Sequence, residues 1–183
     1  MRIRELNITK GDAYKKLWPI LKENIFHLTS ANNAKKILKD GMIKGDVTLE
    51  KIHEQSMNSY GRKRSLICLF DLRNSEAKEK KEAYDKFDFI RPEYISEPYY
   101  FIIDDKLHRS LVDWETAQKE VGYSEIFIPY IECWYSQEIP VKSCKQIIRV
   151  NFQWDGNLDT LSIAELDSYI SKLEADIEKA KKS

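Results

Sequence analysis

Residues 25–41, IFHLTSANNAKKILKDG, constrain the local geometry of this chain more than any other segment. Side chains alternate across a strand, so Phe26 and Leu28 point one way while His27 and Thr29 share the opposite surface. Ser30 then stands where an N-cap accepts a backbone N–H. Ala31, Ala34, Ile37 and Leu38 make a short apolar stripe that stops at Gly41, a C′ residue. The predicted unit is a strand, a sharp turn and a helix. It sets a His-x-Thr pair beside the open backbone donors of a helix N-terminus, favourable ground for a phosphate or a ribose. A strand histidine with a purely structural hydrogen bond fits the same spacing.

The chain has 183 residues, enough for one domain with an appendage and a single substantial core. Charged residues make up 33% and balance to a formal net charge of +0, so no global field draws the protein to nucleic acid or acidic lipid. Any such steering falls to local patches. No apolar run approaches a membrane span, and the N-terminus MRIRELNITKGDAYKK turns polar at once, which predicts a soluble, cytoplasmic protein. Cys68, Cys133 and Cys144 form an odd set without CxxC spacing, each inside an apolar segment. They read as buried thiols rather than a disulfide framework or a metal site.

Along the chain the pattern predicts a mixed α and β order. Residues 11–23 read as a helix with Leu17, Ile20 and Leu21 on its apolar side and Pro19 as a break or kink. A further helix is expected near 46–57, followed by a loop through MNSYGRKR. SLICLFDL, apolar on both faces, reads as an interior strand, and EPYYFIIDD as another. The charged run NSEAKEKKEAYDKFD reads as surface, either a solvated helix or a mobile excursion, and a helix is expected near 110–120. SEIFIPYIECWY at 124–135 and KQIIRVNF at 145–152 bring the strands to five or more, with Pro129 marking a bulge, edge or strand end. The order lacks the long strand–helix alternation of a doubly wound sheet and fits a compact α+β sheet with peripheral helices.

No HExxH, GxGxxG, P-loop or GxSxG pattern is present, and no carboxylate cluster has metal spacing. What remains is dispersed: His27 and Thr29 on the first strand, Tyr60 with Arg62, Lys63 and Arg64 in the next loop, and Glu125 at the start of a later strand. A histidine, an aromatic ring and a carboxylate are what a dinucleotide needs for ribose hydrogen bonding, ring stacking and stabilisation of a sugar cation. Arg62, Lys63 and Arg64 beside Tyr60 also suit phosphate contact and base stacking, and equally an ordinary solvated loop. His108 with Arg109 is a further polar pair without an assigned role.

The block IFHLTSANNAKKILKDGMI resembles the first conserved block of ADP-ribosyltransferase-like proteins, particularly the DNA-targeting toxin branch and related bacterial phage-defence proteins. SEIFIPYIECWYSQEIPVKSCKQIIRV is similar to the closing part of the same fold, with a glutamate opening a strand, a polar turn, Ile-Pro and a final strand. SLICLFDL is also similar to the Phe-Asp strand end of an abortive-infection family. The resemblance implies an ADP-ribosyltransferase-like domain over residues 1–154; the periodicity of the remaining residues predicts a helical arm over 155–183. It implies NAD as substrate, His27 on a ribose or amide of NAD, Thr29 in support, Tyr60 stacked on nicotinamide and Glu125 as the catalytic carboxylate. Glu132 is a rival that faces the other side of a regular strand unless Pro129 bulges it. The implied activity is transfer of ADP-ribose to a macromolecular acceptor in a toxin–antitoxin or phage-defence system. The alternative is a non-catalytic nucleic-acid- or protein-binding module on the same fold.

The last segment has its own character. Ile163, Leu166, Ile170, Leu173, Ile177 and Ala180 alternate steps of three and four among charged residues, a heptad seam, and Ser162 with Glu165 supplies a capping-box start. Packing back on its own domain and pairing as a homodimer through residues 162–181 are both open to such a helix. For the dimer, light scattering after size-exclusion chromatography should give the full chain twice its own mass and a version ending at Asn157 a single-chain mass. Identical monomeric masses for both would contradict it.

Overall fold

The computed structural model describes residues 3–45, 58–86, 95, 97–153, 166–168, 170–172 and 174. Its framework is a six-stranded mixed sheet in the order β1-β8-β5-β2-β4-β6, with β1 parallel to β8 and the other neighbours antiparallel. The strands are β1 (Ile3–Thr9), β2 (Ile25–Thr29), β4 (Ile67–Asp71), β5 (Tyr99–Ile103), β6 (Glu132–Tyr135) and β8 (Cys144–Gln153). A two-stranded ribbon joins β3 (Met42–Ile43) to β7 (Ile139–Pro140). Around them lie α1 (Ala13–Leu21), α2 (Ala31–Asp40), α3 (Tyr60–Lys63), α4 (Lys78–Lys86), a 3₁₀ turn at Asp105–Ser110 and α5 (Trp114–Val121). The architecture is α+β with peripheral helices.

All five residues of β5 are buried, because both faces of the sheet are covered. One face packs Ile25, Ile67, Leu69, Tyr99, Phe101, Ile103 and Ile147 against Ala34 and Ile37 of α2, with Leu107 and Leu111 at its margin. The opposite face packs Phe26, Tyr100, Ile102, Ile148 and Val150 against Ala13, Leu17 and Leu21 of α1. The alternation expected of residues 145–152 holds, with Ile148 and Val150 in one core and Arg149 and Asn151 turned the other way. Pro19 lies inside α1, two residues from its end. The strand–turn–helix unit forms as its residues dictate. Asn33 N donates to the Ser30 hydroxyl at 3.4 Å, and Gly41 takes the left-handed conformation at φ +71° that closes α2.

Other expectations change. The alternation signal does not predict β1, since Ile3, Leu6 and Ile8 are unevenly spaced among polar residues; register with Ile147–Gln153 of β8 makes it a strand. Tyr60–Lys63 of the tract YGRKR form one helical turn, capped by Arg64, rather than a loop. The strand expected over 124–135 is only Glu132–Tyr135, so Glu125 stands on a loop. Pro129 cannot donate to a ladder, and Tyr130 beside it takes φ +66°, so the chain turns before it enters β6. The charged run does form a helix, anchored by buried Ala83 and by Lys80 Nζ, which donates to the Asp71 carbonyl at 3.1 Å. Cys133 and Cys144 are buried and Cys68 is half-buried, all three as free thiols. The helix expected near 46–57 lies outside the described residues. So does most of the heptad seam, of which Leu166 and Ile170 are described as helical. No helix among the described residues is long and apolar enough to cross a membrane.

Candidate functional site

β2 and β4 pair at only two positions, Ile25 with Asp71 and Phe26 with Phe70, while β2 stays paired with β5 as far as Thr29. His27 sits where β4 leaves β2. Its Nδ1 lies 2.9 Å from the Cys68 carbonyl oxygen, so the side chain bridges strands whose backbone ladder has stopped. A carbonyl accepts only, hence Nδ1 carries the proton and Nε2 a bare lone pair. That Nε2 is buried and has no partner among the described residues. Burial holds the imidazole below the ordinary histidine value, against the pull of the Cys68 carbonyl, and so keeps it neutral.

The register places further polar groups on this face. Thr29 stands opposite Tyr99, Tyr99 opposite Arg149 and Arg149 opposite Glu5, one polar row across β2, β5, β8 and β1. Arg149 donates through Nη1 to Glu5 and through Nη2 to Glu97, both at 3.1 Å, and its buried Nε has no partner among the described residues. Thr29 is itself buried. Sequence reasoning missed Arg149, Tyr99 and Glu97. The alternation in KQIIRVNF already set Arg149 apart from the core face, but only strand order makes it a neighbour of Thr29.

Tyr60, Lys63, Arg64 and Glu125 come together elsewhere. α3 packs on Trp134 of β6, whose side chain shares its face with Cys68 and Phe70, opposite to His27. A Cβ on Gly61 would stand 2.5 Å from the indole Cδ1, so glycine lets this turn lie flat on the ring. Tyr60 is buried between Trp134, 4.6 Å away centroid to centroid, and the Arg64 guanidinium, 4.0 Å over its ring. Its hydroxyl donates to Glu120 at 2.7 Å; burial, and then that carboxylate, pushes the phenol up to about 12. Arg64 donates to Glu120 at 2.8 and 3.0 Å and to Glu125 at 2.6 Å, and Lys63 lies 3.3 Å from the other Glu125 oxygen. Burial pushes the Glu125 carboxyl up, but Arg64 and Lys63 more than offset it and keep it ionised. Arg62 is half-buried on the same turn.

This group is a brace. It ties α3, α5 and the 122–131 loop with mutually neutralising charges, and Lys63 and Arg64 of the basic tract are engaged within the fold. Glu132, the glutamate that does open a strand, is buried on the face opposite His27. It accepts from Ile128 N at 2.8 Å and from the Cys68 thiol at 3.1 Å. Burial raises its carboxyl above the ordinary range despite those two donors. The expected residues thus fall into two groups, His27 and Thr29 on one face and Tyr60, Arg62, Lys63, Arg64 and Glu125 beyond the other. Among the described residues no group of His, Cys, Asp and Glu side chains could hold a metal ion. Comparison with known protein families, characterised proteins and solved structures finds no match.

The buried neutral histidine has a pH signature. Its value is lowered by folding, so its contribution to stability is complete above the unfolded value of about 6.5 and is lost as pH falls through it toward the lowered folded value. Chemical denaturation at pH 7.5 and 5.5 should show the parent losing stability. His27→Asn, which can still donate to the Cys68 carbonyl but does not titrate, should lose less; an equal loss would contradict the assignment.

Proposed function

We propose that the chain transfers ADP-ribose from NAD to a macromolecular acceptor, with the nicotinamide ribose lodged at the seam between β2 and β4. The observation that carries this reading is the His27 imidazole, whose proton is committed to Cys68 and whose buried Nε2 is a bare acceptor. A buried lone pair accepts from a ribose hydroxyl or a carboxamide N–H and repels a phosphate oxygen. Of the parts of a dinucleotide, the ribose or the amide therefore suits it. Thr29, one step along the same face, offers a hydroxyl that both donates and accepts, and the start of α2 offers backbone donors for the pyrophosphate.

Transfer breaks the bond between ribose C1′ and the nicotinamide nitrogen. Nicotinamide leaves as a neutral ring with the bonding pair, positive charge develops on the ribose, and the acceptor's nucleophile closes on C1′ as its proton passes to a base. A carboxylate near the 2′-hydroxyl stabilises that charge. The resemblance implies Glu125 for this role, yet both its oxygens are bonded to cations of the brace. Glu97, which pairs with Arg149 through one oxygen on the Thr29 side, is the carboxylate we assign instead. The setting implied by the resemblance is a toxin or phage-defence system.

A second reading is a non-catalytic nucleic-acid- or protein-binding module, and one observation favours it. Tyr123 is 96% exposed on the 122–131 loop, with Ile126 and Tyr130 exposed on the same loop. Tyr130 holds its φ of +66° while its ring packs 4.3 Å from that of Trp114, a strained conformation for an aromatic residue.

Incubation with labelled NAD, nucleic acid and cell lysate separates the readings. Label should pass to an acceptor with the parent, and Glu97→Gln and His27→Ala should each lower the rate by about 10²-fold, the scale of one lost transition-state contact. Glu125→Ala should keep activity; if it alone abolishes labelling, the carboxylate is Glu125. Absence of both labelling and any rise in Tm with NAD would refute the transferase reading and leave the binding module.

A further inference from the structure

The sequence assigns no role to His108, and the structure surrounds it with charge. It lies on the 3₁₀ turn Asp105–Ser110, with a side chain only 10% exposed. Arg73 Nη1, just beyond β4, lies 3.2 Å from His108 Nδ1. A guanidinium only donates, so Nδ1 is the acceptor and the proton of the neutral ring is on Nε2. That nitrogen is buried, 3.4 Å from Asp105 Oδ1 without forming a hydrogen bond. Arg73 is fixed in turn by Asp71, to which Nε and Nη2 donate at 3.1 and 2.8 Å, and Lys80 of α4 lies 3.5 Å from the same carboxylate. From β8, Lys145 donates to Asp105 at 2.6 Å. The groups bearing on His108 are therefore Arg73, Lys80 and Lys145 on the positive side and Asp71 and Asp105 on the negative.

We propose that His108 is an acid-released latch: neutral, it fastens the 105–110 turn to the end of β4 by accepting from Arg73, and protonated, it lets that turn lift from the sheet. Protonation puts a proton on Nδ1, where Arg73 already points one, so an attraction becomes a clash of two donors. Asp105 offsets it only in part, since it is 68% exposed and already bonded to Lys145. Burial, then Arg73, holds the imidazole below the ordinary histidine value, so the latch is fully closed above about pH 6.5 and weakens progressively as pH falls from there toward the lowered value. Leu107 within the turn and Leu111 just after it pack on the core face that carries His27, so release uncovers the margin of that face. The latch does not depend on the transferase reading.

Amide hydrogen exchange on the full chain at pH 7.5 and 5.5, corrected for intrinsic rates, tests it. Protection of residues 105–111 should fall in the parent by up to about tenfold, the factor set by working one pH unit below the ordinary histidine value, while β5 stays protected. His108→Asn, whose carbonyl oxygen can accept from Arg73 without titrating, should show no such fall. His27→Asn should show the parent's fall. Arg73→Met should already show at pH 7.5 the low protection that the parent reaches in acid. Retained protection in the acidified parent, an equal fall in His108→Asn, or parent-like protection in Arg73→Met at pH 7.5 would each overturn the latch.

Discussion

The organisation of the chain depends on one hydrogen bond, from His27 Nδ1 to the Cys68 carbonyl. β2 is the sheet's branching point: it stays with β5 through Thr29 but parts from β4 after Phe26. A backbone carbonyl left without a partner in the interior is costly, about 1–3 kcal/mol when unsatisfied. An imidazole two bonds longer than a backbone N–H reaches across the opening and satisfies it. The same bond settles the tautomer, and through it the chemical character of the atom left facing inward.

The two faces of the sheet follow different logics. On the His27 side a polar row runs from Thr29 through Tyr99 and Arg149 to Glu5, ending in charged groups only partly balanced. Beyond the other side, Tyr60, Arg64, Glu120 and Glu125 satisfy one another around Trp134, which suits a clamp between α3 and the loop before β6. A chemically active group needs an unfilled valence for its ligand. His27 has one and Glu125 does not, which is why the proposed chemistry follows the histidine and takes its carboxylate from Glu97.

Local order was legible from residues wherever periodicity and capping agreed. Ser30, Gly41 and the alternation through residues 25–29 defined β2 and α2, and the aromatic and β-branched run in YYFII defined β5, because those signals act within a few residues. Glu125 was misplaced because SEIFIPYIECWY reads as a strand by composition, whereas Pro129 and the left-handed Tyr130 turn the chain first. β1 was invisible because its strand character comes from a parallel partner more than a hundred residues away. Arg149 and Glu97 could not be linked to Thr29 for the same reason: strand order, unlike strand identity, is a long-range property.

The central claim is that His27 is neutral, protonated on Nδ1 and committed to the Cys68 carbonyl. Long-range ¹⁵N–¹H correlation spectroscopy of the imidazole at pH 7 tests it most directly. The account predicts a neutral ring with a protonated Nδ1 and an unprotonated, acceptor-type Nε2. A proton on Nε2, or on both nitrogens, would contradict it and remove the acceptor on which the functional reading rests.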